Sequence, residues 1–355
     1  MSILFYDLYM KKLLVILLSL LLVSCSDVNK IDDIKAVKFP LEIHRGFNLG
    51  NSLDCASKDK GYTLDTEEFW YNPKTNKQLI DYVKEIGFDC IRIPVTYLNH
   101  IDDNLIIDAR WLDRIEELVK YSLENNLYTI INIHHDTGMN PSLNWIFADS
   151  DNYEDNKEKY IKLWSQIANR FKDYDERLIF QGSGEWMNPE RNWNRSDSYE
   201  DFKIVHELNQ EFINVIRKSG SNNASRYLMI SAFSASGESD ILEAMFYKDF
   251  IDSIENRLIL SIHSYDLDID RIYDASKDIV DISNKYNIPV IIDEFGISAI
   301  KNRNKSLKAF KAFNELSNAY DIPLIIWDDG YEYKLIDRNN YSISDKEVYE
   351  ILFTR

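Results

Sequence analysis

Two glutamates stand just beyond short apolar runs: Glu185 after the run at 178–183, and Glu294 within the run that starts at Pro289. A pair of carboxyl groups about 5–5.5 Å apart can break a glycosidic bond with retention, one as nucleophile and the other as acid and then base. The nucleophile must be ionised, and Arg92, flanked by Ile91 and Ile93, is the candidate counter-charge. The acid must hold its proton near neutral pH, which a neighbouring carboxylate favours. His263 and Tyr265 can hydrogen-bond the nucleophile and orient it, and Trp327 offers an apolar face on which a sugar ring can stack. His134 and His135 close another apolar run, ahead of Asp136. Each residue taken singly has a plain structural use as a core ion pair, a satisfied buried histidine or a packing tryptophan. Their shared place at the ends of runs is what points to chemistry. The histidines also raise a metal site built from His134, His135, His263 and a carboxylate. Adjacent strand residues face opposite ways, so only one of His134 and His135 is expected to face inward, and neither metal nor cofactor is predicted.

Gathering those run ends requires a scaffold. Apolar runs begin near Ile43, Cys90, Tyr128, Leu178, Tyr227, Leu258, Pro289 and Pro323. They are mostly continuous rather than alternating, as in strands buried on both faces of a parallel sheet. Between them, stretches such as 107–125, 155–172 and 201–218 space their apolar residues by three and four, as helices do. The pattern predicts an α/β fold, a (β/α)₈ TIM barrel in one domain, with its site at the C-terminal ends of the strands. An open doubly wound sheet is the alternative architecture. The segment 46–51 lacks the glycine spacing of a dinucleotide loop.

The chain has 355 residues and a net charge of −18. Such a field repels phosphate backbones, which argues against nucleic acid as a partner, and is indifferent to neutral sugars. Met10-Lys11-Lys12 precedes an apolar run at 13–23 broken only by Ser19. That run is too short to span a bilayer as a mature helix but suits a signal-peptide core. Leu22-Val23-Ser24-Cys25 resembles the bacterial lipobox, in which the cysteine is lipidated. The expected organisation is a lipoprotein signal at 1–25, with 1–9 a mis-assigned start, then a polar tether at 26–40 and the barrel at 41–355. The mature chain is expected to be an exported monomer anchored to the cell envelope, facing outside the cytoplasm and touching membrane only through lipid on Cys25. Cys55 and Cys90, at opposite ends of the predicted sheet, should be free thiols, because a disulfide needs Cα atoms within about 7 Å.

In order along the chain, these motifs resemble family 5 of the glycoside hydrolases, the cellulase family, over residues 43–330. The resemblance lies in 46–51 (GFNLGN), 87–95 (GFDCIRIPV), 132–136 (NIHHD), the helix and strand around 208–228, the pair His263 and Tyr265, 292–296 (IDEFG) and 327–330 (WDDG). It implies a retaining mechanism without cofactor on a β-linked glucan, xyloglucan or mannan, nearest the endoglucanase and xyloglucanase branch. It further implies Glu294 as nucleophile, Glu185 as acid/base, Arg92 as support for the nucleophile and Trp327 as the stacking platform. The family's fourth strand ends Phe-Glu-x-x-Asn-Glu-Pro, whereas this chain reads Phe180-Gln181-Gly182-Ser183-Gly184-Glu185-Trp186. The missing asparagine normally hydrogen-bonds the sugar hydroxyl beside the reacting carbon, so its loss should slow the chemistry unless another donor serves. Asn188 is a candidate donor if its loop folds back, and Glu190 is a rival for the acid. Two functions follow: an active endo-β-glycanase, or a surface lipoprotein that binds glycan and cuts little. Trp70, Trp145, Trp186 and Trp193 are candidates for outer sugar subsites.

Overall fold

Residues two apart on a strand share a face, and the apolar runs use this to build two environments inside one barrel. A computed structural model describes residues 34–138, 140, 142–190, 199–298 and 302–354. Strands β1 (Arg45–Leu49), β2 (Cys90–Ile93), β3 (Tyr128–Asn132), β4 (Leu178–Gln181), β5 (Leu228–Ser231), β6 (Leu258–Ser264), β7 (Val290–Phe295) and β8 (Leu324–Asp328) form a closed barrel in sequence order. All eight pairings are parallel, and β8 closes on β1 through Arg45–Leu324 to Leu49–Asp328. Toward the start of the strands, Cys90, Ile130, Ile179, Met229, Ile259, Ile291 and Ile325 form one buried cluster inside the barrel, stoppered by Phe39 and Ile43. Two residues further along, the same faces carry Arg92, Asn132, Gln181, Ser231, Ser261 and Asp293, all buried and all polar. The intervening residues, such as Ile91, Phe180, Ile230, Ile262 and Ile326, pack outward into the layer shared with the helices. Burial on both faces is why the runs are continuously apolar.

Helices α1 (Lys77–Glu85), α2 (Ala109–Glu124), α3 (Tyr153–Phe171), α4 (Tyr199–Lys218), α5 (Ser239–Met245), α6 (Ile269–Tyr286), α7 (Arg303–Tyr320) and α8 (Lys346–Phe353) alternate with the strands. On α4 the buried residues Phe202, Val205, Leu208, Phe212 and Ile216 follow the three-four spacing of one helix face. Each such side chain contributes about 1.5–3 kcal/mol by leaving water. Helix α6 is entered through Asp268, whose carboxylate accepts the backbone N–H of Asp270 and Arg271, and it stops at Asn287 in the left-handed conformation. No helix among the described residues is long and apolar enough to cross a membrane.

Small differences from the expected boundaries have local causes. Ile43 plugs the barrel base instead of opening β1. Pro289 and Pro323 have no N–H for a ladder, so their carbonyls accept from Leu260 and Ile292 while β7 and β8 start one residue later. The expected tether runs to residue 40, yet Ala36 and Phe39 are buried and the Val37 N–H donates to Ser283 Oγ at 3.0 Å. Packing against the barrel therefore begins before residue 41. The signal segment, Cys25 and Trp193 lie outside the described residues. Cys55 and Cys90 are free and buried, and burial pushes both thiols up, out of the reactive range.

Candidate active site

The pairing of β7 slips by one residue where the chemistry lies. Ile262 pairs with Ile292 but His263 pairs with Glu294, and on the other side Ile292 and Phe295 oppose Leu324 and Ile326. The extra residue is a bulge, which re-aims the side chains around it. Consecutive Asp293 and Glu294 thereby both reach the barrel interior, where strict alternation would send one outward. Asp293 is fully buried and accepts from Ser261 Oγ at 2.5 Å and Gln181 Nε2 at 2.7 Å, with Arg92 Nε 3.1 Å away. Glu294 Oε1 accepts from Arg92 Nη1 at 2.6 Å, and its Oε2 from the Tyr265 hydroxyl at 2.9 Å. Arg92 is held in turn by Gln181 Oε1 at 2.7 Å and Asn48 Oδ1 at 2.8 Å. Gln181 thus accepts from the arginine and donates to the aspartate. A glutamate there, as in the family's usual strand, would have nothing to donate and would set a carboxylate against Asp293.

Glu185 follows β4, where Trp186 makes an isolated parallel bridge with Phe233. Its Oε1 lies 3.1 Å from His263 Nδ1, which is also 3.4 Å from Glu294 Oε2, while His263 Nε2 lies 3.6 Å from Asp293 Oδ2. His263, expected to orient the nucleophile, instead sits among three carboxylates and nearest to Glu185. One atom each from Glu185, His263 and Glu294 lies within 4.8 Å of the other two. That separation suits retention and falls well short of the 6.5–9.5 Å of inverting enzymes.

Burial and charge compete at each group. Burial would lower His263, but the charges of Glu294 and Asp293 prevail and push it up to about 10, so the ring is an imidazolium at neutral pH. Burial raises the Glu294 carboxyl, and His263 and Arg92 pull it back without cancelling the rise, to which Glu185 also adds. Arg92 was expected to keep the nucleophile ionised, and it only partly offsets the cost of desolvation. Burial would raise Asp293 as well, but His263 and Arg92 hold it below the usual carboxylate range. Burial, followed by the charges of His135 and Arg92, takes His134 well below the ordinary histidine value and leaves it neutral.

His134 and His135 lie past Asn132, the last residue of β3, so the alternation expected to separate them does not apply. Their rings meet edge to face at 4.5 Å, and His134 stacks on Trp327 at 5.7 Å with the planes 16° apart. His135 Nε2 is 3.5 Å from Asp54 Oδ2, and its ring is 5.4 Å from Trp70. Among the described residues, Asp54 with His134 and His135, and Glu185 with His263 and Glu294, are the two groups whose donor atoms converge enough to approach a metal. Asp54 already accepts the N–H of Asn51 and Ser52. The Trp327 indole lies against Gly50, where an added Cβ would come 2.6 Å from its Cζ2.

Two expectations need correction. Trp186 is fully buried with its ring edge on Tyr160 at 4.9 Å, because the bridge to Phe233 turns it into the core, so it forms no sugar subsite. Trp145 is only half-buried and donates its indole N–H to Asp136 at 2.7 Å, which braces the loop after β3 and leaves the expectation for its ring face as it stands. Asn188 is buried with its amide donating to Asp201 in α4, so its loop does not fold back toward the glutamates. The carboxylate gathered with Glu294 is that of Glu185, and Glu190 is exposed on the following loop. Asn48, Asn132, Gln181, Ser261 and Asp293 were missed as site residues. Asn132, Gln181, Ser261 and Asp293 share one signal, a polar side chain two positions beyond an inward apolar one, whereas Asn48 follows Gly46 and carries no such mark.

A closed parallel barrel with two carboxylates at this separation defines a class, the retaining glycoside hydrolases. The chain belongs to the cellulase family, glycosyl hydrolase family 5, whose profile matches residues 55–332. It is 33% identical over 348 residues to the cellulase/esterase CelE of Acetivibrio thermocellus, covering 90% of this chain but only 38% of that protein. With endoglucanase A of Ruminococcus albus it shares 32% identity over 330 residues, 85% of this chain and 86% of the relative. The solved structure of a GH5-4 broad specificity endoglucanase from Ruminococcus champanellensis with bound cellotriose aligns with a TM-score of 0.82 at 29% identity, over 91% of this chain and 99% of that one.

Proposed function

We propose that this chain is a retaining endo-β-1,4-glucanase in which Glu294 is the nucleophile and Glu185 the acid/base. The observation that carries the assignment is the approach of the two carboxylates within 4.8 Å, with different partners on each. Glu294 is gripped by Arg92 and Tyr265, which fix its oxygens for attack. Glu185 touches only His263 among the catalytic groups and is the less buried of the pair, so it faces the departing oxygen and the incoming water. In the first step Glu294 bonds to the anomeric carbon as the glycosidic C–O bond breaks, and the proton of Glu185 passes to the leaving oxygen. In the second, Glu185 takes a proton from water as its oxygen displaces Glu294, so both carboxyl groups return to their starting states. Trp327 supplies the stacking face. The cellotriose held by the Ruminococcus champanellensis enzyme supports a β-1,4-glucan backbone as substrate.

The second function, a glycan-binding protein with little turnover, draws on Gly184 alone. Reducing-sugar release from carboxymethylcellulose, barley β-glucan, xyloglucan, mannan and xylan separates the two and names the polymer. Glu294→Gln should abolish release, by at least about 10³-fold, while polysaccharide binding survives, because the carboxylate acts on the transition state. Undiminished release from that variant sinks the mechanism. We also infer that the chain works as an envelope-anchored monomer with lipid on Cys25. Radiolabelled palmitate should enter the native chain and not Cys25→Ser, and equal labelling would remove the anchor.

A further inference from the structure

Protonating a leaving oxygen requires the acid to lie within about 2.6–3.2 Å of it, and a misplacement of about 1 Å can cost on the order of 10²-fold in rate. Glu185 meets that demand from a weak foothold. It stands four residues beyond Gln181, the last residue of β4, and two of the three between are glycines, whose backbones lose the most freedom on ordering. The third, Ser183, is fully buried. Its Oγ donates to the Glu185 carbonyl at 2.9 Å and lies 2.7 Å from Thr137 Oγ1, which is also fully buried. With the Ser183 proton on that carbonyl, the proton in the 2.7 Å contact is Thr137's. The His134 carbonyl, 3.1 Å from Thr137 Oγ1, is a second acceptor for it. The loop that carries Thr137 is itself held, since Asp136 accepts the Tyr97 N–H at 2.9 Å and the Trp145 indole N–H at 2.7 Å. The same loop runs beside the acid: an added Cβ at Gly138 would come 3.8 Å from Glu185 Oε2. From the side of β5, Ser231 Oγ donates to the Ser183 carbonyl at 3.2 Å. Two buried hydroxyls could simply satisfy each other, but this pair ends on the backbone of the acid.

We propose that Thr137 and Ser183 are positioning residues for the acid/base. Their hydroxyl pair clamps the loop after β3 to the carbonyl of Glu185 and so fixes where its carboxyl meets the leaving oxygen. Both are fully buried, so neither touches substrate and each acts through Glu185. This rests on the hydrolase mechanism above, with Glu185 as acid/base.

The test compares kcat/KM for phenyl and 2,4-dinitrophenyl β-cellobiosides. That ratio of constants reports the first step, in which dinitrophenolate leaves without a proton and phenol needs one. Ser183→Ala and Thr137→Val each remove one hydroxyl at little change of shape. In both, kcat/KM should fall about 10-fold or more on the phenyl glycoside, part of the about 10²–10⁴-fold that a general acid supplies, and by less than about twofold on the dinitrophenyl one. On the dinitrophenyl glycoside kcat and KM should fall together, because the second step still needs Glu185 as base. Azide, which attacks without a base, should then restore kcat. Thr137→Ser returns the hydroxyl and should recover most of the loss, and thermal melts of all three variants report folding. An equal loss on both glycosides makes the pair structural and overturns the proposal, as does a phenyl glycoside cleaved at the native rate by both hydroxyl-free variants. Glu185→Ala tests the assignment itself. If it does not split the two glycosides in the same way, Glu185 is not the acid, and the proposed mechanism fails together with the role of the pair.

Discussion

Asp293 has no part in the bond changes of the proposed reaction, yet Ser261, Gln181, Arg92 and His263 all converge on it. After Glu294, it is the charge that does most to keep His263 protonated, from below, while the two glutamates work beside the same ring. The His263 value is raised from about 6.5 to about 10. The stability this contributes is full below the unfolded value and is lost as pH rises through the folded one. Melting temperature should therefore fall between pH 7 and pH 10. In Asp293→Asn the fall should begin at lower pH, because a neutral amide no longer raises His263. Superimposable pH–stability curves for the two chains would contradict this. The nucleophile gives a second test on the acid side. Glu294 is raised by burial, so the acidic limb of kcat/KM should lie above the pH of an ordinary glutamate. Gln181→Glu puts another carboxylate against Asp293 and beside Arg92, and should move that limb higher still. At this scale Arg92 was legible as a charge set inside an apolar run, and Glu185, His263, Tyr265 and Glu294 because each lies at or just beyond the end of one. Asp293 was not, because alternation assigns the neighbour of an inward residue to the outside.

The strands and helices were legible almost to the residue, and the reason is burial on both faces. Continuous apolar runs such as 289–292 and 323–327 have few other structural uses, and prolines mark where they begin. The bulge in β7 left no such mark, since nothing in Ile291-Ile292-Asp293-Glu294-Phe295 distinguishes a strand with an extra residue from one without it. Nor could sequence show that the chain after β3 turns enough to let His134 and His135 touch. Helix packing carries its own consequence for the site. Phe212 on α4 meets Trp164 at 4.6 Å, and an added Cβ at Gly182 would come 3.1 Å from its ring, so it lies directly behind the strand that leads to Glu185. Phe212→Ala should cost about 3–5 kcal/mol in denaturant unfolding, the range for emptying a buried aromatic site. A loss under about 1 kcal/mol would mean that α4 repacks freely and does not hold β4 in place.

At the scale of the molecule, the barrel separates chemistry from closure. The polar layer and the glutamates occupy the strands' C-terminal ends, while the opposite end is an apolar plug of Phe39 and Ile43 on Ile130, Ile179, Ile259 and Ile325. Beside the plug lies a cavity of about 460 Å³ lined by Lys38, Phe39, Arg45, Ser317 and Thr354 among others. The run of polar residues before Phe39 reads as a tether, and composition alone could not reveal that one aromatic and one alanine within it are buried. Two shortened chains separate the roles. A chain starting at residue 34 keeps Ala36, Phe39 and the Val37–Ser283 hydrogen bond, and should match the native barrel in stability. A chain starting at residue 41 exposes the cluster, and should be less stable by about 3 kcal/mol or more, as for a lost core aromatic. Because the plug and the glutamates sit at opposite ends of the strands, kcat/KM of the shorter chain well below its melting temperature should equal that of the longer one. Equal stability of the two would show that the segment lies on the barrel without closing it. Unequal kcat/KM would show that the base of the barrel sets the geometry of the polar layer two residues above it, and the register of each strand would then belong to the catalytic machinery.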